Sequence, residues 1–504
     1  MFFSLTATAL VLWVTAAVAL ASTYYVDTAG DDANSGTSET APWRTLDKVN
    51  STTFAPGDRI LLKSGCVWTG QLWPKGSGDE GNPIVIDSYG PGPKPAINAE
   101  GKHFEAVRLY NQQQWEINNL DVTNKSLEGP APRAGVRILG ENAGTFSHIH
   151  LHGLEVHDVN GANLKGRDGG KCNAGILFDV IGHDVRTSFH DVLIDTCCVN
   201  DCDRTGIKTW TDWGRYRGWA PYTNLVIRSN RLDNIGGDGI VACMADAPLI
   251  EHNVASRCNA RSGTHNVAIW VWETDDAVIQ SNEAFLTRST KDGQGFDIDG
   301  LSRRTIVQYN YSHDNEGGFI LLCETGDPNP GRFNDGSVVR YNISQNDGAR
   351  IFQVGGKVTN ARIYNNVIFV DKDKGDPLMI WHNKDRMWPD SIHYYNNIFI
   401  NLGTGGFDLS KSTNNLFDHN VFYGHRSPDE PDDPHRLTDD PKLAAPGTAG
   451  LGLNTVGGYH LQPDSPCIAS GLPMPDNGGR DYWGNPVPAD RPPDRGAYQH
   501  TASK

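Results

Sequence analysis

From about residue 175 to residue 420 the chain repeats one pattern of apolar and polar positions. Each unit opens with Gly or Ala, runs through a short apolar strand and some ten variable residues, and closes on an Ile/Val-x-x-Asn step. The closing asparagines are Asn230, Asn253, Asn282, Asn310, Asn342, Asn366 and Asn397, spaced by 23 to 32 residues. A period of that size with short strands and no helical periodicity predicts a solenoid of β-coils, each covering the apolar face of the next. Asparagine suits a fixed turn position because it tolerates left-handed backbone and can hydrogen-bond to its own copy one coil along.

Strand alternation then assigns faces. Aligning Gly239–Cys243, Ala268–Trp272, Gly295–Asp299, Gly318–Leu322 and Ala349–Gln353 puts Ile240, Ile269, Phe296 and Phe319 inside, with Ala242, Val271, Ile298, Leu321 and Phe352. Val241, Trp270, Asp297 and Ile320 then point outward, as do Cys243, Trp272, Asp299, Leu322 and Gln353. Arg350 falls at an inward place, which implies a slip of register or a coil end. Two tryptophans and two aspartates side by side on an outer wall mark the expected site of chemistry.

The 504 residues, 38% of them hydrophobic, suffice for one long core, and 55 glycines with 28 prolines supply the turns. Residues 1–21 read as a cleaved secretory signal, after which nothing is expected to hold the chain at a membrane. Residues 22–100 form a cap and first coils, 101–425 the solenoid, and 426–504 a Pro/Asp-rich loop and closing segment. Asn50, Asn124, Asn310 and Asn342 lie in glycosylation triplets. Among nine cysteines, Cys172, Cys197, Cys198 and Cys202 cluster and are the expected disulfide donors in an oxidising compartment. A net charge of −16 argues against nucleic-acid binding, and a monomer is expected.

The opening Thr23-Tyr24-Tyr25-Val26-Asp27, the Pro56-Gly57-Asp58 turn and the tail motifs Asp476-Asn477-Gly478-Gly479-Arg480-Asp481 and Arg495-Gly496-Ala497-Tyr498 carry a resemblance over nearly the whole mature chain. The chain resembles secreted right-handed parallel β-helix enzymes that act on carbohydrates, the pectate-lyase-like superfamily. That resemblance implies an all-β, right-handed parallel β-helix with an N-terminal cap and a C-terminal closing segment, acting on a polysaccharide. The Gly-His-Gly and Arg-Ile-Lys motifs of polygalacturonases are absent, as is the calcium-aspartate and arginine set of pectate lyases. No subfamily is assigned.

Asp297 and Asp299 are the leading catalytic candidates. At ~3.3 Å per residue their backbones stand about 6.6 Å apart, inside the ~6.5–9.5 Å range of inverting glycosidases. Glu324, one coil on, is a third carboxylate, expected roughly 8 Å from Asp299. Trp270 and Trp272 would stack on sugar faces. Trp210 and Trp213, in the aromatic and basic insertion 209–219, would add a binding loop, and His313 lies nearest the aspartate coil by register. A glycoside hydrolase needing no cofactor is the leading reading. Its alternatives are a lyase with Lys208 as base and calcium on aspartates such as Asp238 or Asp275, and a non-catalytic carbohydrate-binding protein.

Overall fold

A computed structural model describes residues 21–128, 131–163, 172–324 and 331–500; the signal segment lies outside the described residues except for Ala21. The strands of these residues form three long parallel sheets of fifteen, thirteen and eleven strands. One coil visits them in turn: Tyr222–Arg228 in the first, Arg231–Asp233 in the second, Ile240–Cys243 in the third, and Leu249–Glu251 in the first again. This is a parallel β-helix, and its crossovers are of the kind that winds right-handed. Val-, Ile-, Leu- and Phe-rich inner positions from all three sheets fill the tube.

The helix Leu46–Ser51 lies by the opening coils, with Leu46 and Val49 buried and Thr45 capping its N-terminus through the Lys48 amide. The last ladder pairing joins Ile398–Asn401 to Val421–Gly424. Beyond it the tail does more than close the end. It runs back along the outer side of the thirteen-stranded sheet, where Leu443, Val456, Tyr459 and Leu461 pack on Tyr311, Ile343, Val367, Ile398 and Val421.

At the corner between the fifteen- and thirteen-stranded sheets runs an asparagine ladder. The backbone N–H and side-chain amide of Asn230 both donate to Asn253 Oδ1, at 3.0 Å each. The same pair of bonds links Asn253 to Asn282, Asn282 to Asn310, Asn310 to Asn342, Asn342 to Asn366 and Asn366 to Asn397. Asn420 adds one further rung, and Asp433 of the tail accepts from Asn420 to end the series. The left-handed residue is not the asparagine, as expected, but the one before it: Ser229, His252, Ser281, Tyr309 and Tyr341 all have φ between 50 and 58°. The bend lets the amide that follows turn inward.

Of the four glycosylation triplets, Asn310 and Asn342 are fully buried in this ladder, and Asn124 is fully buried with its amide donating to the carbonyls of His103, Phe104 and Ala134. Asn50 alone of the four is partly exposed. No disulfide joins any two cysteines among the described residues. Cys197 and Cys202 instead sit buried in the tube core, which corrects the expected cross-links at that cluster.

Two buried histidines tie stability to pH in opposite directions. His382 bonds to Ser412 Oγ and Tyr394 Oη inside the tube, and burial pushes its pKa down to about 3. The unfolded chain's histidine titrates near ~6.5, so between these values only the unfolded state takes the proton. This stability is full above ~6.5 and is lost as pH falls toward about 3. For His313, burial alone would lower the pKa, but bonds to Asp314 and Glu283 outweigh it and raise the pKa to about 9. That contribution is full below ~6.5 and is lost as pH rises through about 9. Melting temperature should therefore fall on both sides of neutrality, and His313→Gln should lessen the alkaline loss while leaving the share carried by His157, also raised to about 9 by its bond to Asp121. Asn310→Ala, which orphans buried groups on both neighbouring coils, should cost about 2–4 kcal/mol in urea unfolding.

Candidate active site

The eleven-stranded sheet carries two outward columns of side chains. The first runs Leu177, Lys208, Val241, Trp270, Asp297, Leu321, Gln353, Trp381. Two residues on in each strand come Asp179, Trp210, Cys243, Trp272, Asp299, Cys323, Gly355 and Asn383. The expected alignment holds through Asp297. At the next coil it is one residue out: Phe296 pairs with Ile320, not Phe319, so Leu321 faces out beside Asp297, and Ile320 and Leu322 face in. Cys323 thereby takes the place beside Asp299.

A cavity of about 600 Å³ opens on this wall. Asp292, Asp297 and Asp299 line it together with Trp270, Trp381, Arg350 and Gln353. Asp297, Asp299 and Cys323 each bring a ligating atom within 4.8 Å of the others. Asp299 is held through Oδ1, which accepts from the Gly300 amide at 2.6 Å and from the Cys323 thiol at 3.2 Å. Burial and the charges of the nearby aspartates push that thiol well above its ordinary value, so it stays a neutral S–H donor. Asp297 is only 4% exposed, whereas Asp299 and Asp292 are partly open to solvent.

Asp292 comes from the loop entering the Gln294–Ile298 strand. Gly293, at φ 80°, makes the turn, and a Cβ there would run into the carbonyl of Ser289. Arg350 closes the same loop by donating to the carbonyl of Thr290 at 2.7 Å, and its guanidinium lies 5.4 Å from the Trp381 ring centroid. Its odd inward place in the sequence reading is a strand start that turns out into the cavity. Trp270 is buried and donates its indole N–H to Asp238 at 3.0 Å, while Arg204 pairs with Asp238 at 3.0 Å behind it.

The other expected residues do not gather here. Glu324 is in register with Gly356; its carboxylate is buried, ion-paired to Arg332 at 2.6 Å and accepting from the Leu301 amide. His313 belongs to the thirteen-stranded sheet, stacked between Phe285 and Tyr311. Lys208 is in the outer column but only 1% exposed, with its ammonium 4.8 Å from the Trp210 ring centroid. Trp210 and Trp272 stack on each other at 5.6 Å outside the cavity lining. The insertion bearing Trp213 is pinned to the wall by Arg215, which bonds Asp275 at 2.6 Å and the Leu301 carbonyl at 3.0 Å. Asp275 also accepts from Nε and Nη2 of Arg303. Asp275 is thus engaged by two arginines outside the cavity, whereas Asp238, paired with Arg204, lines the cavity with Asp292, Asp297 and Asp299.

No protein-family model matches the chain. It is 29% identical over 483 residues to a lacto-N-biosidase from Bifidobacterium longum subsp. longum, an alignment covering 75% of this chain and 29% of that protein. The chain thus spans less than a third of the length of this curated relative. Among solved structures it is similar to the GH136 lacto-N-biosidase from Eubacterium ramulus, with a TM-score of 0.58 and 28% identity over 72% of this chain and 67% of that one. A complex of XylC with xylose, at 12% identity and a TM-score of 0.53 over 95% and 98% of the two chains, shares the fold. The neighbours are right-handed parallel β-helix proteins of carbohydrate chemistry, in agreement with the resemblance read from the sequence.

The buried Arg204–Asp238 pair in the cavity lining gives a test of the scaffold. Arg204→Gln leaves Asp238 without its guanidinium and should destabilise the chain by about 3–5 kcal/mol, read as a lowered midpoint in denaturant unfolding with the native circular dichroism otherwise retained.

Proposed function

We propose that this chain is a secreted glycoside hydrolase whose reacting carboxylates are Asp292 and Asp299, with Asp297 set behind them as a positioning group. The observation that carries this reading is the convergence of Asp292, Asp297 and Asp299, the first and last of them partly exposed, in one cavity walled by Trp270, Trp381 and Arg350 and lined also by Asp238 and Asp385. Hydrolysis of a glycosidic bond needs one carboxylic acid to protonate the leaving oxygen and one carboxylate to act at the anomeric carbon, directly or through water. Asp299, fixed on one oxygen, and Asp292, on a loop shut by Arg350, can approach the bond from different elements. Asp297, buried beside Trp270 in the neighbouring strand, is too enclosed to meet a sugar ring first. The likeness to lacto-N-biosidases over about three quarters of the chain supports the same reaction class.

A cavity of this size accommodates a ligand about as large as a disaccharide. The substrate we propose is accordingly the end of an oligosaccharide or polysaccharide, taken up by a monomer that needs no cofactor for the acid–base chemistry. The lyase reading loses its support at Lys208, which is sealed into the wall, and at Asp238 and Asp275, whose charges arginines already balance. Asp292→Asn and Asp299→Asn should each lower kcat by about 10³-fold or more on a β-linked disaccharide glycoside with a chromogenic leaving group, and Asp297→Asn by about 10–100-fold, with unchanged melting temperature for the first two. Near-normal turnover in Asp299→Asn would overturn the assignment. An unsaturated, ultraviolet-absorbing product would overturn the reaction class.

A further inference from the structure

On a different face of the tube, the outer side of the fifteen-stranded sheet, three successive coils bring Glu116, His148, His150 and Asp191 together. Strand register places His150 beside Glu116, and His148 lies level with Asp191 between the paired residues of their strands. The two imidazole rings are 3.9 Å apart between centroids. One ligating atom from each of Glu116, His148 and His150 lies within 4.8 Å of the other two. None of these side chains is more than a third exposed: 33% for Glu116, 32% for Asp191, 23% for His148 and 22% for His150.

We propose that this cluster is a binding site for a divalent zinc-like cation, held by His148 Nε2, His150 Nε2 and the Glu116 carboxylate. Three features carry the proposal. Donor spacing comes first: His148 Nε2 and Glu116 Oε1 are 3.3 Å apart. Ligands about 2.0–2.1 Å from a tetrahedral zinc stand about 3.3–3.4 Å from one another, so this gap already has the length of a coordination edge. A second feature is the outer carboxylate. Asp191 accepts from His148 Nδ1 at 2.8 Å through one oxygen and from the Asn224 amide at 2.9 Å through the other. A carboxylate on the far nitrogen of a ligating histidine fixes the tautomer and directs Nε2 toward the metal.

His150 supplies the third feature. Its Nε2 is shielded from solvent and lies 3.3 Å from Asp191 Oδ2 without forming a well-aligned hydrogen bond. A shielded imidazole nitrogen among two carboxylates and a second imidazole suits a borderline cation that prefers nitrogen and oxygen donors. Metal binding would displace the proton shared between His148 Nε2 and Glu116. The ion would brace coils whose residues are more than thirty positions apart in sequence, giving it a structural rather than catalytic part.

The test uses the full-length protein, stripped with chelator and titrated with Zn²⁺ by calorimetry and with Co²⁺ by visible absorption. One saturable equivalent is expected, with a higher melting temperature in Zn²⁺ than in chelator. Glu116→Gln and His150→Ala should each weaken binding at least about 10-fold, and Asp191→Asn by about 10–100-fold. Asp418, His419 and His435 form a separate group of potential ligands near the last coil, so His419→Ala serves as the control and should change nothing. If His150→Ala does not fold, the isosteric Glu116→Gln carries the test by itself. Absence of saturable binding at about 100 µM Zn²⁺, equal binding in Glu116→Gln, or loss of binding only in His419→Ala would each overturn the site.

Discussion

The structure depends on a single constraint: a buried primary amide must find partners for every polar atom, and in this tube the nearest partner is the same amide one coil away. An unpaired buried amide costs several kcal/mol, whereas each rung of the ladder satisfies a backbone N–H and a side-chain N–H at once. The geometry leaves little freedom. A coil that slid by one residue would offer the next asparagine a carbonyl or an apolar side chain instead of Oδ1. Register along the stack is therefore fixed at one corner, and loops of very different length between corners do not disturb it. Coil lengths of 23 and 32 residues coexist on one ladder for this reason. Asp433 completes the logic at the end, where a carboxylate accepts what no further asparagine is there to take.

Fixed register is what makes one continuous wall out of residues far apart in sequence. Trp270, Asp297, Leu321, Gln353 and Trp381 form one column because five coils are locked to the same corner. Within that column charge is tolerated by local arrangement. Arg204 and the Trp270 indole satisfy Asp238, and Cys323, uncharged, donates to Asp299. A thiol is apt here: a lysine at that place would neutralise the carboxylate, while an alanine would leave its oxygen with one donor fewer.

Most of the fold was legible because period, strand length and the asparagine step all point to one architecture, and the alternation of faces follows from it. The column through Trp270 and Asp297 came out correctly for the same reason. The next coil did not, because Gly318 looks like a copy of Gly295 yet aligns with Gln294, at φ 137°, a backbone that a side chain would obstruct. That single step moved Glu324 onto the wall on paper, whereas in space it faces Arg332. The same logic separates the legible parts of the site from the illegible. Asp297 and Asp299 sit on a strand with periodic neighbours. Asp292 sits on a turn with no period to reveal it, and Trp381 would have required carrying the register one strand past Gln353. The tail's course over Tyr311 and Val367 joins segments about a hundred residues apart by apolar contacts and by hydrogen bonds to Gln345, which no spacing rule anticipates.

The three faces of the tube are not equivalent, and their differences argue for where chemistry can occur. The tail buries the flank of the thirteen-stranded sheet from Tyr311 onward, and the corner beside it is sealed by Met474 and Val487 on Tyr341 and Tyr364. Those surfaces serve stability. The eleven-stranded wall is left to the loops that enter and leave its strands, and these carry Asp292, Arg215 and the Trp213 insertion. Loops can change in length without a change in register, so the lining of this cavity can be altered while the ladder holds the strand aspartates in place. The coupling runs in one direction. Losing a ladder asparagine would shift the columns and with them the cavity, whereas changing a cavity loop leaves the ladder intact. A chain built this way separates the part that must not vary from the part that can.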